Sequence, residues 1–229
     1  MEARSIATGG AEPRVLAAPR ATGVFCRAAD LLIATLLVAV LAPLMLLVAV
    51  CVRLDSSGPA LFRQPRVGRG GRTFTLLKFR TMVAGADAAP HREYVQGLIN
   101  GGNATQDPGG NALFKLTGDG RLTSLGRVLR RWSLDELPQL LNVVAGQMSL
   151  VGPRPGLDYE VAVYPEWYLE RLAVRPGITG LWQVSGRNER TFEEMVRLDI
   201  EYVRRMSVRL YASIVLKTPR AVLGRRGVV

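Results

Sequence analysis

The chain has 229 residues, of which 48% are hydrophobic, which fits one domain of ordinary size with a membrane appendage and excludes two independent soluble domains. A formal net charge of +11 requires anionic partners: nucleic acid, acidic lipid or phosphorylated small molecules. His91 is the single histidine, so Ser-His and Cys-His catalysis and multi-His metal centres are excluded, and acid/base chemistry falls to carboxylates, Lys or Tyr.

Residues 1–23 are rich in Ala, Gly, Pro and Arg and read as a mobile tail. Residues 31–52 carry no charge and, as a helix, reach roughly 33 Å, the thickness of a bilayer core; residues 24–54 are therefore expected to form a membrane helix. Cys26 and Cys51 flank this run as small hydrophobes. Its length and its proline-containing lead argue against a cleaved signal peptide. Pro43, in its middle, removes one backbone hydrogen bond and bends the helix. Arginines flank the run on both sides, Arg4, Arg14, Arg20 and Arg27 before it and Arg53, Arg63, Arg66, Arg69 and Arg72 after it. A re-entrant helix broken at Pro43 keeps both clusters on the cytoplasmic face, as the positive-inside tendency favours. A kinked span is the other reading, and the residues alone do not choose between them.

Residues 55–59 form a turn, and residues 61–64 and 73–79 read as two short strands of a hairpin around Gly68, Gly70 and Gly71. The glycines lack the third member and the following helix of a dinucleotide fingerprint. Residues 83–120 are a long irregular insertion, a lid or surface loop, with a short helix at 92–99; the sequon at Asn103 is accidental in a cytoplasmic domain. Helices are expected at 121–131, 137–144, 157–174 with an interruption at Pro165, 191–206 and 208–223. The last combines Leu210, Ile214 and Leu216 with Arg209, Lys217 and Arg220, and suits either an anionic membrane surface or plain solvation.

One acidic pair, Asp135-Glu136, follows Arg130 and Arg131. Ser133 to Glu136 matches a capping box, but Pro138 would then sit beyond the first turn, so the helix is expected to start at 135–137 with both carboxylates at its N-terminus. An ionised carboxylate there can attack phosphorus, or bind Mg2+ together with a phosphate. Lys78-Phe79-Arg80, Gly152-Pro153-Arg154-Pro155 and the run from Arg175 to Gly180 hold cations on stiff turns, as diphosphate binding requires.

These stretches, FTLLKFRTM (74–82), SLDELPQLLN (133–142), MSLVGPRP (148–155) and RPGITGLWQVSGRN (175–188), closely resemble the bacterial sugar transferase family, the monotopic phosphoglycosyl transferases that start exopolysaccharide assembly. The resemblance covers most of residues 25–223. It implies an α+β, mostly helical fold with a small β-hairpin, a re-entrant helix broken at Pro43, and a catalytic domain over residues 55–229 on the cytoplasmic face of the bacterial inner membrane. It also implies that Asp135 attacks the sugar-bearing phosphate of a UDP-sugar and releases UMP, after which polyprenyl (undecaprenyl) phosphate takes the sugar phosphate. Glu136 assists, Mg2+ held by Asp135 offsets phosphate charge, and Lys78, Arg80, Arg130, Arg154, Arg175, Gln183 and Arg187 contact the substrates. The lipid partner is the anionic leaflet. Ala42, Gln147, Met206 and Ala212 depart from the family pattern, which puts the C-terminal contacts in doubt. The identity of the sugar and the oligomeric state, a homodimer included, are not set by the sequence. A nucleic-acid binder and a non-catalytic membrane scaffold are the competing readings; the basic residues sit on Pro-stiffened turns beside a membrane helix, which speaks against the first.

Overall fold

A computed structural model of the chain describes residues 20–83, 120–186 and 191–223, together with 85, 89, 92, 93, 97 and 99. The tail before Arg20, most of the 83–120 insertion and Arg187 lie outside the described residues. Arg92, Glu93, Gly97 and Ile99 are helical, within the stretch expected to form a short helix.

Helix α1, Arg20–Asp55, is 36 residues long and runs through Pro43 as one continuous helix. It is long and apolar enough to cross a membrane, and one side, with Leu32, Leu36, Val40, Leu46 and Leu47, is exposed. Its opposite side is buried only towards the ends, at Cys26, Asp30 and Ala34 and again at Val48 and Val52; none of residues 35–47 is buried. Both ends are held by hydrogen bonds to the same domain. Near the start, Asp30 Oδ1 accepts from Leu150 N (2.8 Å), Tyr211 Oη (2.8 Å) and Ser149 Oγ (3.0 Å), while Arg27 donates to Val143 O (2.7 Å) and Val144 O (3.1 Å). At the finish, the Arg80 guanidinium donates to Val52 O (3.1 Å), Ser56 O (2.6 Å) and Ser57 O (2.6 Å), satisfying carbonyls that a helix C-terminus leaves unpaired.

Strands β1, Leu61–Val67, and β2, Thr73–Phe79, form the expected antiparallel hairpin, with Leu61 opposite Phe79 and Val67 opposite Thr73. The turn carries Gly70 and Gly71 at φ of 67° and 75°, a left-handed conformation that glycine adopts without strain. Helix α2, Ser124–Arg131, is capped by the Thr123 side chain accepting from Gly126 N, and α3 spans Gln139–Val144.

A second sheet goes beyond the expected elements: β3, Ser149–Val151, and β4, Gly177–Thr179, pair in parallel where the sequence reads as Gly/Pro turns. Each strand has three residues and is almost wholly buried, so no alternation marks it. Gly152 and Gly177 permit the pairing, because a Cβ on Gly177 would collide with the Gly152 backbone. The expected helix at 157–174 is a short α4, Asp158–Val161, followed after Pro165 by a 3₁₀ segment, Glu166–Ala173. Helix α5 is Leu181–Val184; α6, Phe192–Arg205, opens on a capping box between Thr191 and Glu194; α7 is Val208–Leu223. The mostly helical α+β class with a small hairpin therefore stands.

Two apolar clusters join α1 to the domain. Cys26 and Ala34 pack with Leu76, Leu140, Met148 and Tyr211, and Val48 and Val52 pack with Phe79 and Leu129.

Candidate active site

Asp135 and Glu136 lie on a 3₁₀ turn, Leu134–Glu136, and α3 begins only at Gln139, so the helix starts later than the expected 135–137. The capping box does not form: Ser133 makes no side-chain cap and sits in the left-handed region at φ 55°, alone in this among the described non-glycine residues. That conformation reverses the chain after α2, so Leu134 and Leu137 pack against the cluster of Val48, Val52 and Phe79 while Asp135 is buried between them. The acidic turn is thus seated on the C-terminal end of the membrane-length helix.

Lys78, on β2, places Nζ 3.5 Å from Glu136 Oε1, and Arg154, from the loop after β3, places a guanidinium nitrogen 3.5 Å from the same oxygen. A cleft lies among Arg66, Lys78, Gln139, Arg154, Gly177 and Ile178. Asn142 fastens α3 to β2: its Nδ2 donates to Thr75 O (2.7 Å) and its Oδ1 accepts from Leu77 N (3.0 Å). The register between the acidic turn and Lys78 is therefore hydrogen-bonded on both sides. The same Nδ2 reaches Gln147 Oε1 (2.7 Å), so Gln147, a departure from the family pattern, serves as its acceptor.

Desolvation is the largest influence on two cations of the cleft, the part-buried Lys78 and the buried Arg66. It pulls the Lys78 ammonium down to about 8, with Glu136 opposing and Arg154 adding to the fall. It pulls the Arg66 guanidinium down to about 10, again with Arg154 adding to the fall. Cations held this far below their ordinary values are stabilised by an incoming anion, so the cleft favours negative charge.

Arg66 is not among the expected contacts. It is buried, donates to Gln64 Oε1 (2.8 and 3.2 Å) and Pro155 O (3.0 Å), and lines the cleft. The signal for it lies in the hairpin's alternation: Gln64 pairs with Leu76, Arg66 with Phe74 and Phe62 with Lys78, so all six share one face.

The other expected contacts are spread out. Arg80 is committed to the end of α1, and Arg175 Nε donates to Gly146 O (3.0 Å) beyond α3. Arg130 Nε donates to Thr81 Oγ1 (3.0 Å). Gln183 is buried, and neither atom of its amide has a hydrogen bond among the described residues. Among those residues no group of three or more His, Cys, Asp or Glu gathers to hold a metal.

A buried acid beside fixed, partly desolvated cations is the equipment of an enzyme that moves phosphorylated groups. The chain belongs to the bacterial sugar transferase family, whose family model matches residues 21–225. It is 41% identical over 208 residues to the exopolysaccharide production protein ExoY of Sinorhizobium fredii, covering 90% of this chain and 88% of that one. It is 41% identical over 224 residues to the UDP-glucose:undecaprenyl-phosphate glucose-1-phosphate transferase of Caulobacter vibrioides, covering 94% and 74%. Against the undecaprenyl-phosphate galactose phosphotransferase of Salmonella typhimurium the identity is 38% over 214 residues, covering 92% of this chain and 43% of the longer relative.

Proposed function

We propose that the protein transfers a sugar-1-phosphate from a UDP-sugar to undecaprenyl phosphate, through a covalent intermediate on Asp135. The observation that carries this reading is the enclosed Asp135-Glu136 turn, packed on α1 on one side and facing Lys78 and Arg154 on the other. A buried acid, two cations and a membrane-length helix within one small structure support the reading, because a soluble donor and a lipid acceptor both require such groups to meet.

In the first step an Asp135 carboxylate oxygen attacks the sugar-bearing phosphorus. The bond from that phosphorus to the bridging oxygen breaks, and UMP leaves with the bonding electrons. In the second step an oxygen of undecaprenyl phosphate attacks the same phosphorus, the acyl phosphate bond breaks, and the Asp135 carboxylate is restored. Lys78, Arg66 and Arg154 hold the diphosphate, and Glu136 keeps Lys78 and Arg154 facing Asp135. Two adjacent carboxylates are a fitting donor set for Mg2+, which is held by one or two such groups together with substrate phosphates. When bound, the ion neutralises charge on the leaving UMP.

The same reading makes α1 a re-entrant helix bent at Pro43, with the domain on the cytoplasmic face. Its support is that both ends of α1 are hydrogen-bonded to one domain while none of residues 35–47 between them is fully buried, Leu37, Val38, Leu41 and Met45 being only partly so. A straight span would carry one of those ends away from the domain.

UMP release from the full-length protein in membranes, given undecaprenyl phosphate, Mg2+ and a panel that includes UDP-glucose and UDP-galactose, tests the proposal. Release by the wild type that is lost in Asp135→Asn supports it. A folded, inserted wild type that releases no UMP from any donor contradicts it and favours the scaffold reading.

A further inference from the structure

Resting on that reading, we infer that Arg171, fixed by Asp199, is the positioning residue for Arg154. Arg154 is part-buried and its Glu136 contact is a loose 3.5 Å, so the place from which its side chain enters the cleft depends on the backbone of the loop after β3. That backbone is gripped twice, once by a residue of the cleft and once by a residue outside its lining. Arg66 donates to Pro155 O (3.0 Å), and Arg171, only 4% exposed, donates to Arg154 O (3.1 Å). Arg171 also donates to Tyr164 Oη (3.0 Å) and forms an ion pair with Asp199, which is 1% exposed. Burial, the largest single influence, would lower the Arg171 guanidinium, but the Asp199 carboxylate, with Tyr164 and Glu160, together holds the group above its ordinary value.

This pair is a poor stabilising device. Arg171 Nε and Asp199 Oδ1 are buried without hydrogen bonds among the described residues, and a buried ion pair of this kind is commonly no more stable than apolar residues of the same size. What apolar residues lack is a donor for the Arg154 carbonyl. The fork of a guanidinium reaches Asp199, Tyr164 and that carbonyl at once; an ammonium is a point donor and does not.

The experiment is the double variant Arg171→Met with Asp199→Leu in the full chain, which removes both charges together. The expected result is a melting temperature at or above that of the wild type, with KM for the UDP-sugar raised about tenfold and kcat changed less, as loss of a diphosphate contact requires. A folded double variant with wild-type KM overturns the inference. If the double variant does not fold, Arg171→Lys, which keeps the charge opposite Asp199, is measured instead; the same rise in KM is expected, and a wild-type KM overturns the inference. A second readout needs no turnover: equilibrium binding of UDP, followed by calorimetry, should weaken about tenfold once Arg154 is released, because the diphosphate loses a charged donor. Lack of turnover in the wild type would therefore count against the proposed reaction, while an unchanged UDP affinity in the folded variant would count against the positioning role.

Discussion

Lys78 Nζ stands 3.5 Å from Glu136 Oε1, close enough for attraction and too far for a strong hydrogen bond, so the ammonium remains available to an incoming phosphate. Burial holds it at about 8 rather than at its ordinary 10.5. A depressed value means that this group's share of folding stability is present above pH 10.5 and is lost as pH falls through 8. An anion bound beside Lys78 would reverse that cost.

Substrate binding near pH 8 should therefore take up a proton, and KM for the UDP-sugar should rise as pH passes above about 8. In Lys78→Arg the charge persists to far higher pH, so the basic limb should move up. An unchanged limb in that variant would assign the titration to another group.

Arg80→Met should act on stability. Its guanidinium serves the carbonyls of Val52, Ser56 and Ser57, and losing three such bonds from a buried site should cost about 2–4 kcal/mol. Thermal unfolding in detergent should show the loss, while KM in the folded fraction stays near that of the wild type. A large rise in KM without loss of stability would restore Arg80 to the substrate contacts.

Asp30→Ala should loosen the other end of α1. Leu150 N, Ser149 Oγ and Tyr211 Oη all donate to one Asp30 oxygen, and all three would lose their acceptor in a buried place, at about 3 kcal/mol. Tyr211→Phe removes one donor only and should cost about 1 kcal/mol by the same denaturation measurement.

Ser133 adopts φ 55°, where glycine is at ease. Ser133→Gly should be neutral or slightly stabilising, and Ser133→Val should destabilise by about 1–2 kcal/mol and reduce turnover, because Asp135 hangs from this turn. Equal melting temperatures for the two variants would contradict this account of the turn.

How far the sequence can be read depends on whether a feature leaves a local pattern. Strand β2 alternates, and the apolar run of α1 is long, so both are legible from the order of their residues alone. Strands β3 and β4 have three residues each, and what makes them strands is a backbone contact between Gly152 and Gly177 some twenty-five positions apart. The acidic pair can be singled out because it stands just behind Arg130 and Arg131 and within the family-like stretch SLDELPQLLN, whereas an acidic pair as such, like Glu193-Glu194, marks nothing. The arginines themselves cannot be sorted: a sequence displays the charge of Arg80 but not the carbonyls that occupy it. Asp30 leaves no mark for the same reason. It stands one residue outside the uncharged run, and its partners come from β3 and α7, more than one hundred positions away.

The central claim, a phosphosugar carried on Asp135, is tested most directly by mixing the purified protein with UDP-sugar and no lipid acceptor, then measuring the intact mass and the modified peptide. The account predicts UMP release limited to one equivalent and a mass increase of one sugar phosphate on the peptide containing Asp135, absent from Asp135→Asn. Release of UMP only when undecaprenyl phosphate is present, with no adduct at any time, would contradict it and indicate direct transfer between donor and acceptor.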